Sequence, residues 1–385
     1  MDQVKLFFDN LIQKSTFDAP IWNKEALLEN HTPKWNYIDG CMLKAILDMY
    51  LVTKEDRYLK FLDEFVDYYI HEDGTIRGYD INDKNCDNIN EGKVLFDLYQ
   101  LTKKDKYKKA LDLLRKQLDI QPRTKSNNFW HKQIYPNQIW LDGLYMVQPF
   151  YLRYEKEFHQ YCGYRDIFNQ FKEVFERMQD PHTGLLYHGY DETKSMFWAD
   201  PISGCSKNFW TRSLGWLAMA LVDTLEYMDE QYFYEYETLQ KYLKSLLDAI
   251  LKYQSKEGMF YQVTNMQDKK GNYLETSGSC AIAYALMKGA RLKYLPKDYA
   301  DDGEKILKAI IKHKLIVDNG EYLLKDICLV AGLGGMPGKG DYKLRDGTFE
   351  YYISEPIVDN DAKGVAPLFY AYCEFLKKGG IENDY

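Results

Sequence analysis

Two aspartates in this sequence open apolar runs in the way a general acid and its partner would. Asp142 stands in Trp140-Leu141-Asp142-Gly143, ahead of the apolar segment from Leu144 to Leu152. Asp87 stands in Asp87-Asn88-Ile89-Asn90-Glu91, ahead of Val94 to Leu101. Aspartate is favoured at a helix N-terminus, where it caps free N–H groups and meets the positive end of the helix dipole. Asn88 with Glu91 three residues on already fits a capping box, which leaves Asp87 less needed for that work. Asp142, followed by glycine and a wholly apolar helix, is expected to point its carboxyl into a cavity mouth with little water. Desolvation and a second nearby carboxylate both raise a pKa, so one of the pair becomes a candidate general acid near neutrality.

Basic and aromatic residues gather at similar helix starts. His131, Lys132, His188 and Arg212 could together bind an anion, which an acidic chain does not otherwise attract. Arg212 opens an apolar helix from Leu214 to Leu225, and an unpaired buried guanidinium is costly, so an acidic group of protein or ligand is expected to meet it. Trp35, Trp140, Trp210 and Trp216, with Tyr37, lie at or near these starts, and Trp130 and Trp198 lie in loops feeding them. Indole faces around a polar ring suit a sugar, whose axial C–H groups stack while its hydroxyls hydrogen-bond; each Trp taken singly also reads as a large core residue. No paired helical histidines and no C-x-x-C spacing occur, so no metal site is expected, and the seven scattered cysteines read as reduced thiols.

The elements that must position these residues are helices of two alternating kinds. Met42 to Leu51 is apolar nearly all round, as in a helix enclosed by others, whereas Arg57 to Tyr69 is apolar on one face only, through Tyr58, Phe61, Leu62, Phe65 and Tyr69. The contrast recurs down the chain and predicts six inner and six outer helices, the N-terminal outer one (Val4 to Ile12) packing beside the C-terminal inner one. Thr53-Lys54-Glu55-Asp56 and Thr102-Lys103-Lys104-Asp105 repeat one short turn, and Gly74, Gly184, Gly258 and Gly320 each follow an outer helix. Such self-similarity marks an array of one supersecondary unit. The predicted fold is all-α, an (α/α)6 barrel with the inner-helix N-termini at the mouth, one domain over residues 1–385; an open α-solenoid is the alternative. The glycine cluster from Gly332 to Gly340 is expected to be a mobile loop over the mouth.

Composition narrows the partners. A formal charge of -8 leaves no excess positive charge for nucleic acid or anionic membrane, and neither is expected as a partner. Acidic residues interrupt the N-terminal apolar run, so no secretory signal is read and a cytoplasmic chain is expected, monomeric or weakly homodimeric. An aromatic content of 16%, with 34 Tyr, asks for either a bulky core or a stacking surface.

At these residues the sequence resembles glycoside hydrolase family 105, the unsaturated rhamnogalacturonyl hydrolases, related to the unsaturated glucuronyl hydrolases of family 88. The resemblance spans nearly the whole chain. It is carried by Asp87 to Asn90, Trp140 to Met146, Leu186 to Tyr190, Trp210 to Trp216 and Arg345 to Pro356; the second and fourth segments are specific. It implies hydration of the C4=C5 vinyl ether of a 4,5-unsaturated uronic acid, the non-reducing end that polysaccharide lyases leave. Asp142 matches the group that protonates C4, and Asp87 matches the second aspartate, which would keep Asp142 protonated by like-charge coupling. His131, His188, Arg212 and Trp216 match positions lining the uronate subsite; no role is assigned within the Arg345 to Pro356 block. No cofactor is implied, because protonation and hydration need only carboxyls and water. The expected substrate is an unsaturated galacturonyl disaccharide of rhamnogalacturonan, from pectin; the alternative is an unsaturated glucuronyl disaccharide from glycosaminoglycan or ulvan. Outside that class stand an inactive carbohydrate-binding barrel and a terpenoid-type barrel, the latter lacking any Asp-rich metal-binding run.

Overall fold

The computed structural model describes residues 1–30, 34–334 and 344–382. Among these, six inner helical segments form a closed ring: Tyr37–Thr53, Cys86–Val94 continued by Leu95–Thr102, Leu141–Phe158, Thr211–Leu225, Thr276–Arg291 and Ala362–Glu382. Each packs on the next and the last on the first, where the Tyr370 hydroxyl donates to the Cys41 carbonyl at 2.6 Å. Outside them lie Asp2–Lys14, Asp56–Tyr69, Asp105–Ile120, Tyr164–Met178, Phe233–Leu251 and Asp298–Lys314. This is the (α/α)6 barrel that the alternating periodicity predicts, with the inner-helix N-termini at the mouth.

The two kinds of periodicity have the expected cause. Every residue of Thr211–Leu225 is buried, whereas Asp56–Tyr69 buries only Tyr58, Leu62, Phe65, Val66 and Tyr69. Each large apolar side chain so enclosed contributes roughly 1.5–3 kcal/mol relative to exposure. Closure brings the first helix against the last, Phe8 meeting Phe369 edge-on with ring centroids 4.5 Å apart. The repeated turn is also one structure used twice. Thr53 and Thr102 donate back to the Met49 and Leu98 carbonyls, and Lys54 and Lys103 take left-handed φ values of 59° and 60°.

Three features differ from the sequence reading. Cys86–Val94 is a 3-10 segment rather than the start of a regular α-helix, and the Asn88–Glu91 capping box does not form. Asn85 caps the segment instead, accepting from the Asp87 N–H at 3.0 Å, while the Glu91 carboxylate accepts from the Asn36 N–H at 2.8 Å. The cause is close approach: a Cβ on Gly40 would stand 2.6 Å from Glu91 Cα, so Tyr37–Thr53 presses on this backbone and draws Glu91 across. Second, short helices at Lys24–Glu29 and Phe349–Ser354 lie in connections to which the sequence reading assigns no element. Third, the outer helices do not run up to their glycines: they end at Tyr69, Met178, Leu251 and Lys314, ahead of Gly74, Gly184, Gly258 and Gly320, and at the last of these Leu315–Asp318 pairs as a strand with Glu321–Leu324. Of the glycine cluster, residues 335–340 lie outside the described residues; Gly334 pairs with Arg345. Among the described residues no helix is long and apolar enough to cross a membrane.

Candidate active site

Backbone pairing between neighbouring connections brings the predicted residues together. Gln138–Trp140 pairs antiparallel with Gly189–Asp191, Trp140 opposite Gly189, and the Leu141 N–H donates to the His188 carbonyl at 3.1 Å. His188 is thereby fixed against the first turn of Leu141–Phe158, where Asp142 sits. A second pairing, Asn85 with Lys132 and Cys86 N–H with the His131 carbonyl, lays His131 and Lys132 beside Asp87.

The two carboxylates meet different surroundings. Asp142 Oδ2 lies 3.3 Å from His188 Nε2, within reach of a hydrogen bond though not aligned for one. Both atoms are buried and have no hydrogen-bond partner among the described residues, while the Asp142 side chain as a whole keeps 14% exposure. His188 is fully buried, and its Nδ1 is 2.7 Å from the Tyr352 hydroxyl. Asp87 instead forms an ion pair with Lys132, Nζ to Oδ2 2.6 Å, and stands 3.5 Å from His131 Nε2. Burial works against the Asp87 charge, but Lys132 and then His131 outweigh it and hold the carboxyl below its ordinary range. In return Asp87 overcomes the burial of Lys132 and holds its ammonium above the usual lysine range.

These facts correct two expectations and narrow a third. The pressure of Asp87 on Asp142 is damped, since Lys132 neutralises the Asp87 charge locally. His131 is no cationic anion-holder near neutrality: burial pushes its imidazole down to about 4, despite Asp87. It packs flat on Trp140 at 4.7 Å, in space that only glycine at 143 leaves open, because a Cβ there would stand 2.8 Å from His131 Nδ1. Among the described residues no side-chain carboxylate is hydrogen-bonded to Arg212, so of the acidic partners expected for it the ligand's stands open. Its guanidinium donates to the Cys328 carbonyl, to Ser277 Oγ at 3.3 Å and to the Leu329 carbonyl at 3.4 Å. Glu275, the nearby acid, is taken by the N–H groups of Ser277, Gly278 and Cys328. It therefore holds the segment whose carbonyls hold Arg212.

The tryptophans form no exposed sugar platform. Trp35, Trp198, Trp210 and Trp216 are at most 2% exposed and Trp140 is 6% exposed. Trp216 stacks on Tyr145 inside the ring at 4.9 Å, and Trp210 lies under the Arg212 guanidinium at 4.7 Å, with its Nε1 on Gln262. They pack into three separate apolar clusters, Trp35 and Trp216 in the main core, Trp210 with Phe349 and Tyr352, and Trp140 with Trp198 and Leu333, and Trp130 alone among the seven is more than slightly exposed. Tyr37, in contrast, lines an open cleft of about 590 Å³ together with Asp87, Lys132, Asn85, Asn88 and Glu25.

A smaller cavity of about 130 Å³ lies near the other ends of the inner helices, lined by Lys44, Lys93, Asp223, Lys288 and Glu374. Lys288 is paired with Asp223 and Glu226, and the cavity is distant from both candidate aspartates. Among the described residues no group of three or more His, Cys, Asp and Glu side chains is placed to hold a metal ion. Sequence reasoning missed Tyr352, which lies within the matched Arg345 to Pro356 block. Arg345 stands 3.7 Å from Glu355, and no spacing in the chain points Tyr352 at His188.

An all-helical barrel with two carboxylates in contrasting surroundings at one mouth defines a glycosidase-like site. The family model described as Glycosyl Hydrolase Family 88 matches residues 15–378, and the chain belongs to that family. It is similar to a glycoside hydrolase of family 105 from C. acetobutylicum ATCC 824, at 42% identity and a TM-score of 0.89, over 97% of this chain and 99% of that one. The family 105 resemblance seen in the sequence is thus borne out. Protein Atu3128 of Agrobacterium fabrum is 40% identical over 236 residues, 60% of this chain and 98% of that protein. The unsaturated rhamnogalacturonyl hydrolase YesR of Bacillus subtilis is 26% identical over 277 residues, 69% of this chain and 74% of that protein. The unsaturated glucuronyl hydrolase of Bacillus sp. GL1 shares the fold, with a TM-score of 0.63 at 15% identity, over 90% of this chain and 87% of that one.

Proposed function

We propose that this glycosidase is an unsaturated rhamnogalacturonyl hydrolase, which removes a 4,5-unsaturated galacturonyl residue from the disaccharides that lyases leave from pectin. The observation that carries the reading is the contrast between the carboxylates: Asp142 faces the buried imidazole of His188, whereas Asp87 is held ionised by Lys132. Asp142 is the acid that protonates C4 of the vinyl ether. Water adds its oxygen to C5, and its proton passes to ionised Asp87 or to the Asp142 carboxylate just formed. The hemiketal then opens and the neighbouring sugar leaves without attack at the anomeric carbon. Acid and base groups placed in this way contribute about 10²–10⁴-fold each.

The cleft beside Asp87 suits the substrate, with the Lys132 ammonium near the anionic sugar and Tyr37 on its wall. Likeness to a family 105 enzyme and to YesR favours the galacturonyl over the glucuronyl substrate. In this reading residues 1–385 act as one catalytic domain in the cytoplasm. The test is a comparison of initial rates on unsaturated rhamnogalacturonan and glycosaminoglycan disaccharides, with products resolved by chromatography. Faster release from the first set is expected; preference for the second would reassign the substrate.

A further inference from the structure

Tyr352 lies in the short helix Phe349–Ser354 and is fully buried. Its ring stacks on Trp210 at 6.1 Å, and its backbone carbonyl accepts from Gln262 Nε2 at 3.1 Å. Gln262 in turn accepts from Trp210 Nε1, so the phenol is held from two sides. Among the described residues its hydroxyl has one polar neighbour, His188 Nδ1 at 2.7 Å. A buried hydroxyl proton without an acceptor costs about 1–3 kcal/mol. The phenol therefore donates to Nδ1, and a neutral imidazole must then carry its own proton on Nε2. Nε2 is the atom facing Asp142 Oδ2 at 3.3 Å.

We infer that Tyr352 is a positioning residue: by fixing the His188 tautomer, it turns an N–H rather than a lone pair towards Oδ2 of Asp142, which favours the acid proton on Oδ1, free to go to substrate. The inference rests on the reading of Asp142 as the acid. When that proton leaves Oδ1 for C4, the His188 N–H faces the new carboxylate at 3.3 Å, and a small turn of the ring aligns the two. The charged and titratable groups around this chain are Asp142 and His131 beside His188, Arg212 over the Trp210 ring, and Cys328 and Asp346 near Tyr352. None of them offers His188 Nδ1 an alternative hydrogen bond.

The test combines Tyr352→Phe, which keeps the ring packing, with selective ¹⁵N labelling of histidine, His188 being assigned by its own substitution. Wild-type His188 is expected to show protonated Nε2 and an acceptor-type Nδ1. In Tyr352→Phe, kcat is expected to fall about 10- to 100-fold with KM within about twofold, and the alkaline limb of the kcat profile to move to higher pH, because Asp142 loses part of its N–H donor. A wild-type His188 protonated on Nδ1 would overturn the inference even if the variant failed to fold. So would an unchanged kcat and pH profile in Tyr352→Phe when Asp142→Asn is inactive. An active Asp142→Asn would instead remove the reading on which the inference rests.

Discussion

Lys132 Nζ stands 2.6 Å from Asp87 Oδ2, and this pair makes the two carboxylates at the mouth electrically unlike. One is neutralised locally by an ammonium. The other faces an imidazole that can change its hydrogen-bonding role. Two aspartates of similar sequence context acquire different chemistry because Asn85 pairs with Lys132 across the connection, whereas Asp142 meets His188 through the strand pair.

Replacing Lys132 by Met should leave Asp87 buried and unpaired. Asp87 has a depressed pKa in the folded protein, so the stability it contributes is present above the ordinary value of 3.8 and is lost as pH falls. The variant should lose about 3 kcal/mol at pH 7, the lower end for breaking a buried pair. The deficit should shrink towards pH 4, where Asp87 in the variant takes up a proton first. Urea unfolding at both pH values measures this; an equal deficit at both would place the loss elsewhere.

Gly143→Ala puts a methyl 2.8 Å from His131 Nδ1. The ring must shift from Asp87 and from Trp140, at about 1–3 kcal/mol for overpacking. Activity should fall at least about tenfold while the far-ultraviolet circular dichroism spectrum is unchanged. Full activity would show that His131 need not stay where it is.

For Arg212→Lys the expectation is structural. One ammonium cannot reach the Cys328 and Leu329 carbonyls and Ser277 in the geometry of the guanidinium fork. A loss of about 1–3 kcal/mol follows from the unsatisfied carbonyls, read as a lower urea midpoint. An unchanged midpoint would mean these contacts contribute little.

Glu91 offers a pH test away from the reaction. Burial, and then Asp39, push its carboxyl above the ordinary 4.5, and Asp39 itself is pushed up to about 6 by burial. A carboxyl raised in the folded state contributes stability at low pH, and that contribution is lost as pH rises from 4.5 towards the folded value. Each pH unit in that interval removes up to about 1.4 kcal/mol. Glu91→Gln, whose amide oxygen can still accept from Asn36, should therefore resist heating better than wild type at pH 8 and similarly at pH 5. Parallel melting curves across that range would contradict it.

The barrel was legible because burial on all sides and burial on one side leave different apolar periods, as Thr211–Leu225 and Asp56–Tyr69 show. Asp142, His188, Asp87, His131 and Lys132 could be gathered from helix starts and motif matches. Their pairings could not, since each depends on the register between connections. Tyr352 meets His188 across 164 residues, and an apolar-looking tyrosine beside other aromatics carries no local mark of that contact. The protein partners of Arg212 could not be read, because the backbone carbonyls it donates to leave no mark in side-chain types. The capping box failed because the approach of Gly40 to Glu91 is a backbone contact that no periodicity reports.

The most direct measurement follows the ultraviolet absorbance of the conjugated C4=C5 bond in lyase-treated rhamnogalacturonan disaccharide, with wild type and Asp142→Asn side by side. Wild type should abolish the absorbance as the neighbouring sugar appears, and Asp142→Asn should be slower by about 10²–10⁴-fold at unchanged fold stability. Absorbance that persists with wild type, or decays equally fast with Asp142→Asn, would contradict hydration driven by this carboxyl.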